Sequence, residues 1–184
     1  MATKLYVWGN HYSSTSGFQE NFTTYTKQLT KLELPIFHYA SQINLQEIQL
    51  LIEKLVDEPA ILIILIGNLE IDDNTPLSSL ISLFDQLYDK LIRFHHIQVI
   101  TCGFIKGKQS SVFRQSRFYE AELRLLLISN VAGTHLLLDK ILTSADFNDD
   151  NSFNLQGEQK LALTIIRHIL CYHPRVCKVE KEWT

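Results

Sequence analysis

The sequence predicts an α/β fold, a three-layer α/β/α sandwich around a five-stranded parallel sheet. Three observations carry this. Short apolar runs alternate with helical patterns five times over. The run Ala60 to Ile66 is apolar at every position, so it needs cover on both faces, as at the centre of a parallel sheet. The connections are short enough to call for right-handed crossovers.

Each element follows in order. Leu5 to Trp8 is a strand ended by the turn Gly9-Asn10. Phe18, Phe22, Tyr25, Leu29 and Leu32 fall at helical spacing and predict a helix over 18–32, which Pro35 closes before a second strand, Ile36 to Tyr39. Asn44 with Glu47 forms a capping-box pattern for a helix reaching about Val56. After the central strand, Thr75-Pro76 opens a long helix to about Phe94. Ile97 to Cys102 is the fourth strand, Arg114 to Ser129 a helix closed by Asn130 to Gly133, and Leu136 to Leu138 the fifth strand. An Asp- and Asn-rich loop leads to the last helix, Gln156 to Tyr172. Ligands bind such sheets at the carboxyl ends of the strands, so loops 9–17, 67–75, 103–112 and 143–155 are expected to share one face.

The 184 residues suit one domain, 1–184, with 46% hydrophobic and 20% charged residues. A formal net charge of -3 gives no global attraction to nucleic acid or anionic membrane, so binding of that kind would need a local patch. Cys102, Cys171 and Cys177 are odd in number and lack C-x-x-C spacing, which indicates neither a disulfide framework nor a zinc site. Cys102 reads as a small buried hydrophobe. Without an apolar signal core or a run near the roughly 20 residues of a membrane span, an intracellular, cytoplasmic location is expected. No cofactor is expected either.

Three segments then stand out: Gly9-Asn10-His11, Gly67-Asn68-Leu69-Glu70, and Asp149 to Gly157. In order and in placement they resemble the motif blocks of the SGNH (GDSL-type) hydrolases over nearly the whole chain, which implies a flavodoxin-like sandwich. In that family the first strand ends in Gly-Asp-Ser, and His11 stands at the position of the nucleophilic serine. Ala40-Ser41 falls where a glycine helps form the oxyanion hole. Leu69 falls where an asparagine completes it. Counting back from Gly157, Asp149 matches the catalytic acid and Ser152 the histidine; a shift of one register gives Asp150 and Phe153. Acyl transfer needs an activated hydroxyl, a base and oxyanion donors. Loss of one such donor alone costs on the order of 3 kcal/mol.

The resemblance therefore implies a degenerate, non-catalytic member acting as a binding or interaction module. The OSK domain of Oskar, similar at Gly67 to Ile71, suggests RNA as the ligand. Lys106, Lys108, Arg114, Arg117 and Arg124, interleaved with Phe104, Phe113, Phe118 and Tyr119, are the candidate basic surface, against the plainer reading of a solvated helix face. The alternatives are a hydrolase of esters or related acyl substrates, using His11 or a displaced Ser13, Ser14 or Ser41, and a structural subunit that pairs with a protein partner. Glu70, Asp72, Asp73, Asp146, Asp149 and Asp150 gather at the same edge but lack a metal-ligand spacing, and read as loop acids. His95-His96 reads as a favourable helix end, with no metal role.

Overall fold

A computed structural model of the chain describes residues 3–40, 45–55, 58–107 and 112–178. Five strands, β1 (Lys4–Gly9), β2 (Ile36–Tyr39), β3 (Ala60–Leu65), β4 (Ile97–Cys102) and β5 (Gly133–Leu136), form one sheet in the order β2-β1-β3-β4-β5. Every pairing is parallel. Among the described residues six α-helices accompany it: α1 (Ser16–Leu29), α2 (Leu45–Leu55), α3 (Asn68–Asp72), α4 (Leu77–Leu91), α5 (Val112–Ala132) and α6 (Leu155–Tyr172).

The wholly apolar β3 lies between β1 and β4, as its composition requires. Leu62 and Ile64 face one core with α2, α4 and α5; Ile61, Ile63 and Leu65 face the other with α1 and α6. Each such side chain contributes about 1.5–3 kcal/mol on burial, so the two faces of this strand anchor the sandwich. Cys102 is enclosed in the second core, and burial pushes its thiol far above the ordinary range.

Local signals set the helix starts. Thr15 accepts the Phe18 N–H and Asn154 accepts the Gly157 N–H, satisfying donors that the first turn leaves open. The expected Asn44 cap lies outside the described residues.

Several helix ends differ from the sequence expectation by a few residues, and the difference is largest at the α5–β5 junction. Helix α5 runs straight to Ala132, and β5 begins at Gly133 rather than Leu136. Glycine permits this early start: a Cβ at position 133 would sit 1.9 Å from the Val99 carbonyl oxygen, so only a bare backbone pairs there. The segment before α4 contains α3, five residues that the apolar periodicity does not announce.

In this strand order the chain leaves β1 toward β2 and returns beyond it to β3. That reversal opens a crevice at the carboxyl ends of β1 and β3.

Candidate active site

The crevice is built from the loops after β1, β3 and β4, tied together by two asparagines. Asn10 donates its amide to Asn68 Oδ1 at 3.1 Å and accepts the Tyr12 N–H at 3.0 Å. Asn68 donates to the Ile105 carbonyl at 2.7 Å and accepts the Ile105 N–H. Both side chains are buried, so these bonds fix the loops rather than await a ligand. Gly67 reaches this arrangement with φ +100°, a conformation that glycine adopts without strain, between Phe104 and Phe84. The fourth loop joins through aromatic contact. Phe153 lies 5.0 Å and Phe147 6.4 Å from the Tyr12 ring. All four expected loops thus meet on one face.

His11 sits half-buried at the mouth, its ring 4.1 Å from that of Tyr12. Its Nδ1 is enclosed with no hydrogen-bond partner. Burial holds the imidazole below its ordinary pKa, and the charge of Asp72 only partly opposes this. The ring is therefore a neutral base at neutral pH. Asp72 accepts from Arg114 Nε at 2.7 Å, and Arg114 also reaches the Lys106 carbonyl and lies 4.6 Å over the Phe118 ring. Burial pushes the Tyr12 phenol up to about 12, so its hydroxyl keeps its proton.

The other sequence candidates fall as follows. Ser13 is buried, donates to the Asn10 carbonyl at 2.8 Å, and packs so closely on Gly9 that a Cβ there would lie 1.7 Å from its Oγ. Ser14 is exposed and donates to the His11 carbonyl at 2.9 Å. Both hydroxyls brace the turn that carries His11. Ser41 and Lys108 lie outside the described residues. Leu69 is half-buried at the start of α3, and Glu70 is buried beside it.

In the last block Ser152 is exposed and turns away, its N–H and Oγ both donating to Asp150 Oδ1. Asn151 at φ +65° makes that turn, which delivers Phe153 to Tyr12 instead. Asp149 is exposed; Asp146 is buried. Burial pushes the Asp146 carboxyl up, but hydrogen bonds from Lys160 and Thr143 outweigh it and hold the group low. Among the described residues no group of three or more His, Cys, Asp or Glu is arranged to hold a metal. His96 bonds to the Leu55 carbonyl at 3.1 Å.

Three of the candidate basic residues are paired with acids. Lys106 pairs with Asp139 at 3.1 Å, Arg114 with Asp72, and Arg124 with Glu120 at 2.5 Å, while Arg117 donates to the Thr75 carbonyl at 2.7 Å.

One constellation escapes sequence reading. Ser129 Oγ lies 3.0 Å from His135 Nδ1, and His135 Nε2 lies 2.6 Å from Glu122 Oε1. This is the order of a catalytic triad, but with the ring nitrogens exchanged relative to the serine-protease template. Ser129 is 0% exposed, so no substrate reaches it. The second Glu122 oxygen accepts the Phe104 N–H at 2.9 Å. The array therefore clamps β5 and α5 to the loop whose next residue, Ile105, holds Asn68.

The three imidazoles of His11, His168 and His173 are all held low, chiefly by burial. The unfolded chain keeps protons that the folded one releases, so their stabilisation is complete above pH 6.5 and lost as pH falls below it. The melting temperature should drop between pH 7.5 and pH 5.5; a flat profile would contradict the assignment.

No protein-family model matches the chain, and no curated protein matches it in sequence. Solved structures do. TesA superposes with a TM-score of 0.69 at 12% identity, covering 91% of this chain and 98% of that one. An acetylxylan esterase from Geobacillus stearothermophilus gives 0.69 at 12% identity, covering 91% and 94%. A carbohydrate esterase family 3 structure from Talaromyces cellulolyticus gives 0.71 at 12% identity, covering 95% and 99%.

The chain thus has the SGNH-hydrolase fold, over almost its full length and that of its structural neighbours. This overturns the expectation of a non-catalytic RNA-binding module, because solved structures that share the fold include esterases and a lipase/acylhydrolase. The basic cluster misled because the acid partners of Lys106 and Arg114 come from distant segments. No helix among the described residues is long and apolar enough to cross a membrane.

Proposed function

We propose that the protein is a hydrolase of esters or related acyl substrates, working from an atypical site centred on His11. The observation that carries this reading is a neutral, half-buried imidazole at the carboxyl end of the first strand of an esterase fold. Ser13 and Ser14 are committed to backbone carbonyls, which favours water over a serine as the nucleophile.

In this reading His11 takes a proton from a water molecule as the water oxygen bonds to the acyl carbon. The tetrahedral adduct collapses, the acyl–oxygen bond breaks, and the imidazolium returns its proton to the departing alkoxide. An ester and water give an acid and an alcohol, with no net change in the enzyme. A single general base supplies about 10²–10⁴-fold, so the turnover expected is modest. Hydrolysis of p-nitrophenyl acetate above the buffer rate tests the reading, and no excess over buffer would overturn it.

A further inference from the structure

Helix α5 is apolar on two faces. Its inner face sets Phe118, Ala121 and Leu125 into the core it shares with α4. Its outer face carries Tyr119, 64% exposed, Leu123, 46%, and Leu127, 74%. Helix α4, on the same side of the sheet, shows what water alone asks of such a face. Its exposed positions are Ser78, Ser79, Ser82, Asp85, Gln86 and Asp89, all polar. Single exposed apolar residues are ordinary, but a contiguous run of them marks an interaction surface.

The three outer residues stand four apart, so they form one ridge along the helix, about 12 Å long at 1.5 Å per residue. Leu123 is its midpoint. Ridges of this i±4 kind interdigitate when two helices cross at about −50°, the commonest packing class in globular proteins. Two copies of α5 meeting antiparallel across a twofold axis beside Leu123 would set Leu123 on Leu123, and Tyr119 beside Leu127 of the other copy. Charge fits the same symmetry. Glu120 and Arg124 are exposed, flank the ridge and pair with each other at 2.5 Å. Reversing the second helix brings Arg124 of one copy toward Glu120 of the other, so opposite signs meet across the axis. A membrane-surface helix would instead carry an excess of cations beside its apolar stripe; here an acid matches the base.

We propose that the outer ridge of α5 is the contact of a symmetric homodimer, occupied by a second copy of this chain packed antiparallel across a twofold axis beside Leu123. The contact is independent of the hydrolase reading, since His11 does not lie on the ridge.

Sedimentation velocity of the full-length protein over a range of concentrations should show a monomer–dimer equilibrium. Leu123→Asp should raise the dissociation constant about a hundredfold or more, because two carboxylates then face each other. Leu123→Lys should do the same. Mixing these two variants should restore a dimer, since a residue beside the axis meets its own copy and opposite charges then pair. Leu127→Ala, a truncation at a largely exposed position, should weaken the dimer about tenfold. Leu50→Asp, at an exposed apolar position on α2, should leave it intact. A monomer at every concentration would overturn the proposal, as would a dimer unaffected by Leu127→Ala or one lost in Leu50→Asp. Charge variants that keep the wild-type circular dichroism yet stay monomeric on mixing would overturn the twofold at Leu123. A monomer that associates with phosphatidylglycerol vesicles, and loses this with Leu123→Asp, would give the ridge to a membrane instead.

Discussion

Glu122→Ala is expected to lower the free energy of unfolding by about 2–6 kcal/mol, from two buried donors left unsatisfied at about 1–3 kcal/mol each. Glu122 accepts from His135 Nε2 at 2.6 Å with one oxygen and from the Phe104 N–H at 2.9 Å with the other. Removing the carboxylate strands both donors in a nearly closed site. His135 then loses the bond that keeps Nδ1 free to accept from Ser129. Denaturant unfolding measures the loss as a lower midpoint. Glu122→Gln, which keeps one acceptor, should lose less. Amide exchange at Phe104 and Ile105 should quicken in the alanine variant, because the clamp holds that loop. An unfolding midpoint unchanged in Glu122→Ala would show that the array is ornamental.

His11→Ala should reduce ester turnover by about 10²–10⁴-fold, the usual contribution of a general base. The loss should appear in kcat, with KM little changed, because the imidazole acts on water rather than holding the substrate. The pH–rate profile should carry a single acid limb. Burial holds the His11 pKa below 6.5, so activity should climb with pH through that lowered value and be level by neutrality. Ser13→Ala should cost far less in kcat. Its hydroxyl is spent on the Asn10 carbonyl, and its loss loosens the turn without removing a reacting group.

Much of the fold was legible because β3 announces its own burial. Six consecutive apolar residues admit few positions other than a sheet centre, and the alternating helices then dictate parallel pairing. The four loops of the crevice follow from topology alone. What could not be read depends on where side chains turn. Ser152 and Phe153 are neighbours in sequence, and only the left-handed Asn151 decides which of them meets Tyr12. Asn68 looks like any polar residue after a strand, yet it bridges two loops across 58 and 37 positions. The Ser129–His135–Glu122 array forms where α5 turns directly into β5, a junction visible only once Gly133 is seen against Val99. Arg114 reads as a free cation in sequence because its partner Asp72 lies 42 residues away. Local pattern fixes elements; the pairing of charges is a property of the folded surface.

The decisive measurement is hydrolysis of p-nitrophenyl acetate by the wild-type protein before and after saturating treatment with a fluorophosphonate that labels active serines. A site run by an imidazole and water should keep its full rate and take up no label. Loss of turnover together with a covalent adduct on a serine would contradict the account, and would hand the chemistry back to a hydroxyl nucleophile.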